Sequence, residues 1–192
     1  VIIALGEGIL GTIAAIGAIV GPKGEGWSVP AAVVGVAGVT LIFGVWWTYF
    51  VVPSGELLAA HRERRFAWGY GHIPLFAAVV AIGAGLHVGA YLVEHHTELD
   101  TLDTLLTTAV PLAVYVLLTY VLYARLTGTV DRFHFVLVGL SAVVLAIAVA
   151  MAAAEVGFEW CLLVLSLVPW VTVVGYELRG HAHNAEVLAA LD

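Results

Sequence analysis

Apolar residues run through this chain in long continuous blocks with short polar breaks between them, and they do not alternate with polar ones. The first block, VIIALGEGILGTIAAIGAIV (1–20), carries one carboxylate, Glu7, and one hydroxyl, Thr12. Twenty residues of helix rise roughly 30 Å, the thickness of a bilayer's hydrocarbon core. Further blocks follow at 30–52, 72–93, 105–126, 133–154 and 158–178. Each predicts a spanning α-helix, because the runs are unbroken and too long for barrel strands. Gly21-Pro22 closes the first, and Pro30 falls in the first turn of the second, where its missing N–H does no harm. The expected fold is all-α: a polytopic transmembrane bundle with six spanning helices, forming a single domain over 1–192.

Composition agrees. Soluble domains carry about 25% charged residues, whereas this chain has 11%, with 62% hydrophobic and a mean hydropathy of +1.05. Seven basic residues against 14 acidic ones give a net charge of -7, which argues against nucleic acid as a partner. The single cysteine, Cys161, excludes an internal disulfide and a CxxC motif. The chain opens inside an apolar run without Met, as expected of the C-terminal part of a longer protein. It lacks the charged n-region and small-residue cleavage site of a signal peptide.

Basic residues set the expected orientation. Arg62, Arg64 and Arg65 lie between the second and third blocks, Arg125 and Arg132 bound the break between the fourth and fifth, and Arg179 follows the sixth. These fall on one side of a six-helix chain, with Lys23 alone opposite. That side is expected to be cytoplasmic, with the C-terminus, in a multi-pass cell-membrane protein. The opposite loop is acidic, with Glu94, Glu98, Asp100 and Asp103 beside His95 and His96. Trp46, Trp47 and Tyr49 end the second block at the inner interface and Trp68 and Tyr70 precede the third, while Trp27 and Trp160 fall at the outer interface, depths that Trp and Tyr favour. The stretch 53–71 reads as a basic amphipathic surface loop at the anionic inner leaflet. The tail after Gly180 reads as a short helix or as disordered.

Gly17 with Gly21, Gly85 with Gly89, and the Gly6/Gly8/Gly11 cluster have the spacing of close helix contacts. Pro111 and Pro169 sit inside the fourth and sixth blocks and free the carbonyls of Thr107 and Leu165.

Candidate chemistry starts at Glu7. A carboxylate in a spanning helix costs about 2.5–3.5 kcal/mol on insertion scales, so the bundle must supply a partner, a proton or water. One reading is a proton- or cation-exchanging group; the other is a hydrogen-bonded carboxyl that fixes helix register. His72, counted to a depth near that of Glu7, is its expected partner, and Tyr49 adds a hydroxyl. His87 lies fifteen residues beyond His72, roughly 22 Å along the same helix, on the same polar path but out of contact. Glu155 and Glu159 flank the last turn, where one reading is solvation of the turn and the other, with the acidic loop, a cation-attracting vestibule. The pairs His95/His96 and His181/His183 lack the spacing of a strong metal site. No phosphate loop, nucleophile elbow or HExxH occurs, so neither enzymatic activity nor a cofactor or metal is expected.

LGEGIL, WWTYF and GHIPLF together resemble the bacterial low temperature requirement A family of multi-pass membrane proteins. The family's LGE motif is matched by Leu5-Gly6-Glu7, its WWxYF by Trp46, Trp47, Tyr49 and Phe50, and its leading His by His72, with a later Ala84-Gly85. Order and spacing fit across the first half; the second half matches mainly in hydropathy. The resemblance implies the C-terminal half of a longer protein and singles out Glu7, Trp46, Tyr49 and His72. Family members usually carry an acidic residue after WWxYF, where Val51 stands here.

The leading expectation is a transport or permeation protein acting on a small ion or molecule through Glu7, His72, Tyr49 and His87, with Trp46 and Trp47 as interface anchors. The alternative is a non-transporting structural, lipid-binding or cold- and stress-adaptation protein, in which Arg62, Arg64 and Arg65 grip lipid headgroups.

Overall fold

A computed structural model describes residues 2–21, 26–51, 54–93, 97–128 and 132–180. Lys23, Glu94, His95, His96, His181 and His183 lie outside the described residues. Within them the chain is all helical. Helix α1 (Ile2–Val20) is followed by α2 (Val29–Phe50), α3 (Ser54–Ala60), α4 (Arg65–Val93), α5 (Thr101–Thr127), α6 (Arg132–Ala153), α7 (Phe158–Ser166) and α8 (Val168–Gly175).

Local chemistry sets the ends. Ser28 caps α2 by accepting from the Ala31 amide, with Pro30 in the first turn. Asp100 caps α5 at 2.8 Å from the Asp103 amide. Gly128 ends α5 at φ +76°, a left-handed conformation that suits glycine, and its N–H closes on Ala124 O.

The expected surface loop 53–71 is largely helical. It comprises α3, a 3-10 turn over Arg62–Arg64, and the first turns of α4. Helix α4 therefore begins seven residues before the apolar block, because helix geometry is indifferent to whether a side chain meets oil or water. The sixth block is broken in the opposite sense: α7 and α8 are separate helices meeting at Leu167. Pro169 has no N–H to give Leu165, and Trp170 N–H turns instead to Leu167 O at 3.1 Å. The break is tied to α2, where Thr48 Oγ1 donates to Pro169 O (3.1 Å) and Trp170 Nε1 to Thr40 O (2.9 Å).

The helices form a ring in the order α1, α4, α5, α6, α7/α8, α2 and back to α1. Helix α2 runs antiparallel to α1, with Gly8 at Ile42, Thr12 at Gly38 and Ile16 at Gly35. Helix α4 runs parallel to α1, with Gly83 at the Glu7 backbone and Gly11 at Leu86 and His87. Leu41, Leu75, Ile82, Leu105, Leu112, Tyr115 and Leu162 fill the centre. The outside is also apolar: Ile3, Leu10, Phe43, Val110, Leu117, Phe135 and Val143 are all exposed. Such a surface needs a lipid solvent.

Five helical stretches, beginning at Val29, Arg62, Thr101, Arg132 and Phe158, are long and apolar enough to cross a bilayer. The expected count was six; the described apolar stretch of the first helix, Ile2–Gly17, falls in a shorter class.

Small residues act more selectively than their spacing implied. Gly85 and Gly89 admit Thr107/Thr108 and the Phe158 ring, but Gly6 and Gly17 have nothing within 4 Å of where a Cβ would stand, and Gly21 meets only Gly17 O of its own chain.

Candidate functional site

The pocket lies where α2 ends and α4 begins. His72 sits on the second turn of α4, buried, and its Nδ1 is 2.7 Å from Trp68 O one turn back. A carbonyl only accepts, so Nδ1 carries the hydrogen and the neutral ring keeps a lone pair on Nε2. Tyr49 Oη lies 2.9 Å from Nε2 and donates to it. The rings of Trp68, Phe76 and Tyr49 surround the imidazole at centroid distances of 4.7, 5.4 and 5.7 Å.

Beside this pair is a cavity of about 20 Å³ lined by Tyr49, Ser54, Trp68, His72, Leu75, Thr119, Leu122 and Tyr123. That is room for one water among several polar groups. The lining brings together α2, α3, α4 and α5, so only the assembled ring makes it.

Tyr49 and His72 are thus brought together as expected, but without Glu7. The Glu7 backbone abuts Gly83, eleven residues and about 16 Å along α4 from His72. Its side chain is exposed at the α1–α4 seam. The expected Glu7–His72 pairing is therefore not made, since both ring nitrogens of His72 already have partners and the two groups sit at different heights. His87 is nearer to Glu7: its backbone faces Gly11 across the α1–α4 seam, and its side chain is partly buried. Neither Glu7 nor His87 reaches the pocket.

Of the three arginines expected at lipid headgroups, Arg62 and Arg65 are exposed, and the Arg65 guanidinium lies 5.2 Å from the Phe66 ring centre. Arg64 turns inward and its Nη1 donates to Leu126 O at 2.6 Å, at the C-terminus of α5. A cation there meets the negative end of the helix dipole. Arg64→Ala is expected to lower stability by about 1–2 kcal/mol, read as a lower unfolding temperature in detergent; Arg62→Ala should change it by less than about 0.5 kcal/mol.

Trp46 and Trp47 lie partly exposed at the end of α2, Trp47 edge-on to Trp170 at 5.9 Å. Glu155 stands in the turn after α6 and Glu159 in the first turn of α7. Among the described residues no cluster of three or more His, Cys, Asp or Glu is placed to hold a metal.

Sequence reasoning missed Trp68, Thr119 and Tyr123 in the pocket wall, and His134 and Tyr176 behind it. A signal was present: Tyr115, Thr119 and Tyr123 recur every four residues on one face of α5.

An apolar exterior, helices of bilayer length and a polar pocket set inside them define an all-helical integral membrane protein. The chain belongs to the bacterial low temperature requirement A protein (LtrA) family, whose family model matches residues 1–169. No curated protein and no solved structure matches it.

Proposed function

We propose that the protein is a multi-pass transport or permeation protein of the cell membrane, with α1 as a sixth span and the C-terminus cytoplasmic. The observation that carries this is the Tyr49–His72 hydrogen bond beside a water-sized cavity, inside a bundle whose core is largely apolar. A polar pocket in oil is expensive to keep and serves as a place where an ion or proton exchanges partners. In the cytoplasmic-in orientation, six of the seven basic residues, including those beside the pocket, face the cytoplasm. Glu7, with His87 about a turn away on the seam, is a second ionisable station near mid-height.

The test is ion flux in proteoliposomes. The native protein should pass ions, and Tyr49→Phe and His72→Gln should each reduce flux at least about ten-fold. No flux in the native protein would rule out transport; flux unaltered by His72→Gln would move the site elsewhere, and flux unaltered by Glu7→Gln would remove the carboxylate from it.

A second reading is favoured by one observation: Arg62 and Arg65 are exposed next to the exposed rings of Phe66 and Tyr70. That surface suits anionic lipid headgroups at about 1 kcal/mol per arginine. Replacing both by Gln should weaken binding to anionic vesicles by roughly thirty-fold at low salt. Equal binding by both forms would refute it.

A further inference from the structure

In the ring, α2 and α5 stand on opposite sides, yet α3, the element that follows α2, packs on α5. It therefore lies across the end of the ring where the pocket is. Ser54, its first residue, lines the pocket. Of its seven residues Leu57 is the buried one, while Gly55, Glu56, Ala59 and Ala60 are exposed. Leu57 sits in a small apolar cluster with Tyr123 and Leu126 of α5, apart from the main core, and Leu58 and Trp68 pack against it. Tyr123 and Trp68 are themselves pocket wall. Beyond α3 the chain is anchored, since Arg64 in the 3-10 turn donates to Leu126 O. His61, at φ −117° and ψ 61°, breaks the helix between α3 and that anchor.

We propose that α3 is a lid on the Tyr49–His72 pocket, seated on the pocket wall by Leu57 and hinged at His61, and that the pocket exchanges its contents with the aqueous side when α3 lifts. Its bearing on flux rests on the pocket being the transport site; its opening does not. A cavity of about 20 Å³ holds one water. A hydrated ion or an organic solute therefore reaches Tyr49 and His72 only when a wall moves.

The other walls are held along their lengths. Helix α2 is tied to α5 by Tyr115 Oη on Val45 O and to α8 by Thr48 Oγ1 on Pro169 O. Helix α4 is locked against α5 where Gly85 meets Thr107 and Thr108. Helix α3 has a single buried side chain to withdraw. Segments that bury little apolar surface open at the least cost, and lids are drawn from them. The Arg64 anchor keeps the opening local: the 3-10 turn stays on α5 while α3 swings about His61.

The test measures access to the pocket in the full chain, held in lipid nanodiscs with both faces open to reagent. Cys161→Ser removes the chain's one cysteine, and Thr119→Cys places a thiol in the pocket wall. The probe is 2-(trimethylammonium)ethyl methanethiosulfonate, a charged reagent larger than the closed cavity. With Leu57 in place labelling should be slow; Leu57→Ala should speed it at least about ten-fold while the unfolding temperature stays near native. Leu57→Val, a smaller truncation, should give about three-fold if Leu57→Ala does not fold. A thiol at exposed Arg62 (Arg62→Cys) should label fast with or without the Leu57 change. Labelling of Thr119→Cys that neither Leu57 variant alters would overturn the lid. So would labelling as fast as at Arg62→Cys with Leu57 intact, or a rise matched by a fall in unfolding temperature, since opening would then be global. Faster labelling with flux unchanged in Leu57→Ala would uphold the lid and count against the pocket as the transport site.

Discussion

Replacing Gly83 by Leu is expected to cost about 3 kcal/mol and to push α1 away from α4. An ideal Cβ at Gly83 would stand 2.6 Å from the Glu7 carbonyl carbon, 2.7 Å from the Gly8 nitrogen and 2.8 Å from Glu7 Cβ. The reverse contact is as tight, since a Cβ at Gly11 would lie 2.6 Å from Gly83 O. Two of the atoms met at Gly83 and the oxygen met at Gly11 are backbone, and backbone cannot rotate aside as a side chain can. In a bilayer, where helices gain nothing by leaving water, close approach of this kind is a main source of association. Gly139 is the control: it is exposed on α6 with nothing within 4 Å of its Cβ position. Gly139→Ala should be neutral or stabilise by up to about 1 kcal/mol. Thermal unfolding of the two variants in the same detergent compares them, and equal unfolding temperatures would mean that α1 does not rest on α4 as described. Because Glu7 rides on this seam, Gly83→Leu should also move the carboxylate.

Tyr115→Ala is the second large effect, at about 3 kcal/mol. Tyr115 is wholly buried at the centre of the ring, and its hydroxyl donates to Val45 O at 2.7 Å. Val45 lies one helical turn before Tyr49, so this bond fixes α5 against α2 close to the pocket. The Tyr115 carbonyl in turn accepts from Thr119 Oγ1 (2.9 Å), another pocket residue. Truncation removes the ring, leaves a cavity and frees both helices to shift. Tyr115→Phe keeps the ring and drops only the bond, so it should cost about 1 kcal/mol. A ratio near one between the two losses, measured by chemical unfolding, would contradict a packing role for the ring. Flux should follow stability here, unlike in Tyr49→Phe, where packing is kept.

Much of this was legible in the chain. The apolar blocks map onto α1, α2, α4, α5, α6 and the α7/α8 pair, because a backbone in oil must satisfy its own hydrogen bonds and a helix does so locally. Pro169 marked the break between α7 and α8, and Tyr49 and His72 were marked by standing at the ends of consecutive blocks. The errors share a cause. Hydropathy reports where a segment meets lipid, so it clipped α4 at the start of the apolar block and read 53–71 as a loop. Depth counted from block ends placed Glu7 level with His72, but helices slide along one another until their small residues meet, and Gly83 set that register. Arg64 looked like its neighbours Arg62 and Arg65 until the end of α5 came beside it.

By itself the sequence determined that this chain is helical and belongs in lipid, and roughly where each helix begins and ends, since those depend on local hydrogen bonding and on solvent. Which residues share a pocket was decided only by tertiary structure. That depends on the ring order of the helices and on their vertical register, both set by side-chain volumes at contacts far apart in the chain. The Tyr49–His72 pair, the ring contact of Tyr123 with His134, and the exposure of Glu7 at the α1–α4 seam all follow from that packing.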